Sequence, residues 1–474
     1  MPINIKTTLC SHDTLSTNHA VIHAVNVSQL TGFSDTLEGF EKNQVSTQTA
    51  DEPKAGQTVH IVGQDGYLSK IIWLVDETIS ATFSPWPYAA LKQALPAGDY
   101  SISVETFVQH GLDESALVLG WLLASYQFDD LKSEVPAVGV ARLGVAVLEH
   151  FKAVIDEAEA IALGRDLINF PTNHMSPQHL EDATKKLADQ FGATVSVISG
   201  DDLLTQNFPA IHAVGRAADV APRLIDMRWG KADAPNLTLV GKGVCFDTGG
   251  LNLKTGNYMT LMKKDMGGAA SVLAFAHMIM ASGADVCLRV LIPAVENSVA
   301  GNAFRPGDVI DTRKGLTVEI GNTDAEGRLI LCDALTFADE ENPDLIIDMA
   351  TLTGAARVAL GPDLPPLYCR RDEDARALMD LGMQNGDPVW HMPLWADYEQ
   401  NLSSDIADTN NVTSDGFAGS ITAGLYLSKF VKPETNWMHL DVFGWSPSSR
   451  PGRPKGGHIM AVRTLFHALN KILK

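Results

Sequence analysis

Three glycine-rich segments concentrate the residues whose types and spacing could do chemistry. Lys242, Asp247 and Lys254 stand in GKGVCFDTGGLNLK, Asp265 in MKKDMGGAA, and Asp324, Glu326 and Arg328 in GNTDAEGRL. Four carboxylates gathered in one crevice repel one another and cannot all ionise at neutral pH without a strong positive charge among them. Divalent metal supplies that charge. Carboxylate oxygens suit zinc, manganese or magnesium, and one carboxylate can bridge two ions about 3.5–4 Å apart. Asp324 and Glu326, at i and i+2, are expected to point the same way in extended backbone, so one turn presents both to a metal.

Each acid alone is better explained as a helix cap, an Asx-turn or a solvated loop charge. The combination of all four favours metal. GKG is too short and wrongly spaced for a phosphate-binding loop, and H-E-x-x-H, the mark of a mononuclear zinc protease, is absent. His19 and His23 lie four apart in HAVIHAVNV, which alternates like a strand, so they read as ordinary histidines of an N-terminal domain. Cys245 has no histidine partner in its motif and reads as a buried structural thiol. Lys242, between glycines at the end of an apolar strand, is less easily taken for a solubilising charge. Near divalent ions its pKa would fall, and a neutral amine can ligate metal, though spacing alone does not single out that role.

The elements that must position these residues alternate along the chain. Strand-like runs at Val59–Val62 and Ile71–Val75 with a helical stretch at Leu117–Tyr126 predict a smaller α/β N-terminal domain. After the apolar run VGVARLGVAVL, a helix with Phe151, Val154, Ile155, Ala158, Ile161 and Ala162 on one face connects to the rest, which sets a boundary at 145/146. Ser176 and Pro177 open a further helix that Gly192 stops, with Leu180, Ala183, Leu187 and Phe191 as its stripe. Strands are then expected at Leu237–Gly243, Val286–Ile292, Leu316–Ile320 and Leu345–Met349, and helices at Ala269–Ala281 and Leu329–Glu340. Such alternation predicts a larger domain, 146–474, built on a mostly parallel mixed sheet covered by helices on both faces, with its ligands beyond the carboxyl ends of the strands.

A chain of 474 residues exceeds one ordinary core, in keeping with two domains. The formal charge of -21 argues against nucleic acid or an anionic membrane as main partner. Five widely spaced cysteines indicate neither a disulfide framework nor a zinc ribbon and fit a reducing cytoplasm. No leader-like start and no run of about 18 apolar residues is found, so a soluble, cytoplasmic protein without a membrane partner is expected.

Taken together, GKGVCFDTGGLNLK, MKKDMGGAA, RPGDV and NTDAEGRL resemble the leucyl or cytosol aminopeptidases, two-zinc exopeptidases, in register from about RDLINFPTN to the C-terminus. The resemblance implies that Asp247 and Glu326 bridge two divalent ions, zinc or manganese. Lys242 and Asp265 complete the tighter site and Asp324 the more exchangeable one. Lys254 is implied to polarise the substrate carbonyl, Arg328 to hold a bicarbonate that serves as general base, and Met262, Thr351 and Gly354 to line the pocket for the first side chain. The implied reaction is release of N-terminal residues, leucine-like ones among them, from peptides with a free N-terminus, by attack of a metal-bridging water. A homohexamer is implied as well.

The N-terminal domain carries no specific match. Phe443 and Trp445 in HLDVFGWSPSSRP stand where smaller residues are usual in the family; in the pocket they would shift preference away from leucine, and otherwise they are core aromatics. Two alternatives remain: the same fold acting chiefly as a DNA-binding or other accessory protein, which the charge disfavours, and a two-metal phosphoesterase, for which the clusters lack the extra arginines.

Overall fold

The computed structural model describes residues 5–78, 83–134, 139–413 and 415–473. They divide into two compact units, one of Met1–Ala162, Gln384–Gly386 and Ser449–Pro454, the other of Leu163–Met383, Asp387–Ser448 and Lys455–Lys474. The division falls within the helix Lys152–Asn169. Val138, which opens the apolar run ahead of that helix, lies outside the described residues.

The first unit is built on β1 (Leu9–Ser11), β2 (Ala20–Asn26), β3 (Thr58–Val62), β4 (Leu68–Val75), β5 (Gly98–Ile102) and β6 (Ala141–Val145), in the order β1-β6-β5-β2-β4-β3. Only β3–β4 is antiparallel. Val25, Val59, Ile61, Ile72 and Leu74 form a cluster with Leu30 and Val45 from the helical segments on that face. The helix Glu114–Ser125 starts where the Asp113 side chain accepts the Ala116 N–H, and it is apolar nearly all round because it is buried nearly all round.

The second unit contains β7 (Thr194–Ser199), β8 (Arg223–Gly230), β9 (Asn236–Gly241), β10 (Gly243–Asp247), β11 (Cys287–Asn297), β12 (Val309–Asp311), β13 (Thr317–Glu319), β14 (Leu345–Ala350), β15 (Pro366–Cys369), β16 (Trp390–His391), β17 (Thr409–Asn410) and β18 (Trp437–Asp441). Its main sheet runs β16-β15-β18-β14-β9-β11-β8-β7, with β10 also on β11; β12, β13 and β17 form a small sheet of their own. The centre, β18-β14-β9-β11-β10, is parallel, and antiparallel pairs occur at β15–β18, β11–β8 and β8–β7. Parallel strands covered on both faces become continuous apolar runs, and every residue of β14 is buried.

Neighbouring residues of β9 face opposite layers. Val240 joins the core shared with Ile330 and Leu331 of the helix Glu326–Asp339. Gly241 lies against the helix Gly267–Ser282, whose residues from Gly267 to Met280 are all buried. The expected single strand Leu237–Gly243 is interrupted at Lys242, between β9 and β10. The expected helix Leu329–Glu340 begins three residues earlier, at Glu326. Ser176 caps its helix in a capping box with His179, and Gly192 ends it in the left-handed conformation at φ 69°.

Candidate metal centre

The acids and lysines meet where the central strands end. Lys242 is fixed by its own backbone: its N–H donates to Met349 O at 3.0 Å and its carbonyl accepts from Ala269 N at 2.9 Å. This ties the break between β9 and β10 to both β14 and the long buried helix. The flanking glycines follow from crowding, since a Cβ at Gly241 would stand 2.7 Å from Ala269 Cα and one at Gly243 2.7 Å from Pro293 O. The Lys242 Nζ then lies 2.6 Å from Asp265 Oδ2, 2.9 Å from Glu326 Oε1 and 3.0 Å from Thr351 O.

Asp247 closes β10 and is in register with Asn297 at the end of β11. Its Oδ1 accepts from Gly249 N at 2.8 Å and Asn297 Nδ2 at 2.9 Å, and its Oδ2 lies 2.8 Å from Lys254 Nζ. Lys254 reaches Asp324 Oδ1 as well, at 2.5 Å. Asp265 sits in the 3-10 turn Met262–Met266 ahead of the long helix, not at a strand end, and its Oδ1 accepts from Thr351 Oγ1 at 2.8 Å. Glu326 and Arg328 belong to the first turn of their helix. The extended i, i+2 arrangement expected for Asp324 and Glu326 does not form, because Ala325 between them has φ -112° and ψ 42° and the chain is already turning into the helix.

Asp247, Asp265 and Glu326, all buried, offer carboxylate oxygens within 4.8 Å of one another. Asp324 is outside that triad and joins it through Lys254. One cavity of about 510 Å³ is lined by Lys242, Asp247, Lys254, Asp265, Asp324 and Glu326 together with Met262, Thr351 and Gly354. Arg328 is buried and does not line it; it donates to Asn411 O, its guanidinium lies 5.9 Å from the Tyr426 ring, and its Nε has no hydrogen-bond partner. Burial pulls the Arg328 pKa down.

The electrostatics are those of crowded acids. Burial, then the neighbouring Asp247, pushes Glu326 up to about 8, and the same two causes push Asp324 up to about 6. Asp265 is held below the ordinary carboxylate value, because Lys242 and Lys264 outweigh burial. Lys242 is raised despite complete burial, by Asp265, Glu326 and Asp247, and Lys254 is raised despite burial by Asp247 and Asp324. Two ammonium groups in direct contact with four carboxylates leave an excess of negative charge. Glu326 Oε2 is moreover buried with no hydrogen-bond partner. An orphaned buried carboxylate oxygen facing two other acids fits a divalent cation, as does the all-oxygen donor set with one amine.

Several residues of the site carried no mark in the sequence. Asn297, fully buried, bridges Asp247 to Thr323 O at 3.0 Å, yet it ends an apolar strand like any other polar residue. Thr323 donates to Gly249 O at 2.6 Å and accepts from Asn252 N at 2.8 Å, locking the first segment to the third. Lys264 and Arg357 also line the cavity, and so does Phe443, one of the two aromatics expected either in the pocket or in the core. Trp445 is buried beneath Lys263, at 5.6 Å. Cys245 is buried on β10, and burial pushes its thiol up.

Fold and site define a metal-dependent hydrolase whose acids are gathered at the carboxyl ends of a largely parallel sheet. Residues 162–466 match the family model for the catalytic domain of the cytosol aminopeptidase family, and residues 22–144 that for the M17 aminopeptidase N-terminal domain. A probable cytosol aminopeptidase of Syntrophotalea carbinolica is 41% identical over 373 residues, 75% of this chain and 74% of the relative. One from an Azoarcus species is 37% identical over 420 residues, 83% of each chain. Among solved structures, the cytosol aminopeptidase of Coxiella burnetii is similar at a TM-score of 0.91 and 42% identity, covering 99% of this chain and 100% of that one. The bottromycin maturation enzyme BotP in complex with Mn is similar at 0.85 and 30%, covering 97% and 100%. The chain belongs to the cytosol aminopeptidase family, a family of metal-dependent exopeptidases acting on peptides. The DNA-binding alternative has no support among these matches.

Proposed function

We propose that this chain is a dinuclear aminopeptidase whose centre is held by Lys242, Asp247, Asp265, Asp324 and Glu326. The observation that carries the reading is the triad of buried acids around Glu326, one of whose oxygens has no hydrogen-bond partner. Asp247 and Glu326 would serve both ions, Lys242 and Asp265 would help to hold one of them, and Asp324 would help to hold the other. When bound, two divalent ions, Zn²⁺ or Mn²⁺, supply the positive charge that offsets the acids and acidify water enough for attack at neutral pH. With cations among the acids, the field that keeps Lys242 protonated reverses, which suits an amine ligand.

The chain's own groups do the rest. Lys254, on the cavity wall and touching both Asp247 and Asp324, is positioned to donate to a substrate carbonyl oxygen as it gains negative charge. Arg328, with an unpartnered Nε, is the holder of a bicarbonate base. Met262, Thr351 and Gly354 form the wall for the first side chain. Residues 146–474 serve as the catalytic domain and residues 1–145 as an accessory domain, since every assigned residue lies between Lys242 and Gly354. The family resemblance supports a homohexamer. The relatives' cytosolic naming supports a cytoplasmic enzyme, and no helix among the described residues is long and apolar enough to cross a membrane.

The test compares an unblocked leucyl dipeptide with its N-acetylated copy after Zn²⁺ or Mn²⁺ loading. Release of the N-terminal residue from the first alone is expected. Equal cleavage of both would sink the exopeptidase reading.

A further inference from the structure

We propose that the pocket for the first side chain takes an acidic residue, aspartyl or glutamyl, whose carboxylate is received by Lys264. The inference rests on the aminopeptidase reading of the same cavity and adds the substrate class. Lys264 is only 7% exposed and lines the cavity that contains the four acids. Its Nζ makes no hydrogen bond to any described residue. The nearest carboxylate oxygen, Asp265 Oδ1, is 3.7 Å away, and Asp265 is already engaged by Lys242 and Thr351.

Lys242 and Lys264 are therefore opposites within one cavity. The first is saturated with acceptors; the second, on the cavity wall, makes only the long 3.7 Å approach to Asp265 and has hydrogen bonds left to give. A buried donor without an acceptor is costly, and filling the space beside it with a leucine side chain would remove what water reaches it. A carboxylate at that place completes the ammonium instead.

The rest of the wall agrees. Lys264 Nζ lies 5.4 Å from the Phe443 ring and the Arg357 guanidinium 5.8 Å from the same ring, so two cations flank the aromatic surface lining the cavity. Arg357 has its Nε buried without a partner. Asp441, which does not line the cavity, pairs with Arg357 from behind the wall: it accepts from Thr353 Oγ1 at 2.6 Å, Leu352 N at 3.0 Å and Arg357 Nη2 at 3.0 Å, and so leaves Lys264 as the cation without a close acid. Phe443 and Met262 offer apolar surface to the methylenes of a glutamyl side chain. A lysyl or arginyl side chain would bring a like charge against Lys264 and be rejected.

The Mn²⁺-loaded protein is assayed on matched unblocked p-nitroanilides of glutamate, glutamine, leucine and lysine. Glutamyl is expected to exceed glutaminyl in kcat/KM by about tenfold and lysyl by about 100-fold. Lys264→Met should lower the glutamyl-to-leucyl ratio about tenfold or more, and Lys264→Gln, which keeps a donor but no charge, should favour glutaminyl over glutamyl. Because a ratio is read, a general loss of activity does not imitate the effect. In a second measurement, free L-glutamate should raise the melting temperature of the metal-loaded protein more than L-leucine does, and this difference should vanish in Lys264→Met. Cleavage with a ratio that neither variant moves would overturn the pocket assignment and leave the peptidase reading intact. No cleavage of any substrate, with Lys264-dependent glutamate binding preserved, would do the reverse.

Discussion

Adding one methyl group at Gly327 should disable the metal centre. Gly327 is the second residue of the helix Glu326–Asp339, a position where alanine would ordinarily favour the helix by about 1 kcal/mol. Here its Cβ would meet Lys242 Cε at 2.5 Å, Nζ at 2.7 Å and Cδ at 2.8 Å. Non-bonded carbon contacts settle near about 3.5–4 Å, so the lysine tip must retreat by roughly 1 Å. It has nowhere to go without loss, being 3% exposed and tied to Asp265, Glu326 and Thr351. A broken charge-assisted hydrogen bond costs about 1.5–3 kcal/mol and overpacking about 1–3 kcal/mol, which outweighs the helix gain. Gly327→Ala should therefore be destabilised by about 1.5–5 kcal/mol in urea unfolding of the protein stripped of metal. Its activity should fall further, by about 100-fold, because a shift of roughly 1 Å in a positioned group is costly for catalysis. Metal content after dialysis, unfolding midpoint and kcat/KM on a leucyl substrate are measured side by side. Wild-type metal content together with kcat/KM within about twofold of wild type would refute the argument, since Lys242 could then move freely.

Three further outcomes are expected. Glu326→Gln should abolish activity and lower metal content while leaving the stripped protein folded and no less stable, because it replaces a carboxyl whose ionisation burial and Asp247 already oppose, its pKa being pushed up to about 8; full activity would remove Glu326 from the site. Arg328→Ala should cost about 100-fold in rate, the usual contribution of a general base, with metal content unchanged, and metal loss there would contradict its assigned role. Asp348→Asn tests the buried pair in which Asp348 Oδ1 lies 2.5 Å from His439 Nδ1. Burial works to lower His439, but the charge and hydrogen bond of Asp348 raise it above its ordinary value. A raised folded pKa contributes stability in full below the unfolded value and loses it as pH climbs through the folded one. The substitution should thus cost more unfolding free energy at about pH 5.5 than at about pH 9, and equal costs would mean that the histidine is neutral throughout.

The order of strands and helices in the second unit could be read from the sequence because parallel strands and buried helices are long apolar runs of different lengths. The helix Gly267–Ser282 and β14 are both largely apolar, and length with flanking glycine separated them. Boundaries failed where the chain does something other than continue a period. Lys242 breaks a strand because its backbone groups bond to Met349 and Ala269, partners over a hundred and nearly thirty residues away, which no local pattern encodes. The start of the helix at Glu326 was missed because an acid and a glycine look like loop, although an acid in the first turn is favoured by the helix dipole. The four acids were visible as chemistry, while Asn297 and Thr323, which lock Asp247 and the third segment together, were not. Lys264 carried no signal at all beside Lys263. Only the cavity distinguishes a lysine that donates to Asn169 O from one that donates to nothing.

The same contrast bears on how the centre is held. Acids brought this close oppose folding, so the site persists only because other contacts fix its backbone independently of the acids themselves. Gly268 shows the tightness of that frame: a Cβ there would stand 2.0 Å from Met349 O, so the long helix and β14 touch through backbone alone. That contact positions Asp265, the Lys242 backbone bonds run to the same two elements, and Asn297 orients Asp247 from β11. Asp247, Asp265 and the pair Asp324 and Glu326 are thus delivered by three different elements whose places are set by apolar packing. Glu326 and Asp324, the two acids raised by burial and by Asp247, sit together where the chain turns into the helix Glu326–Asp339. It follows that this segment bears most of the electrostatic strain, and that cation binding should stabilise the turn around Asp324 more than it stabilises the strands beneath it.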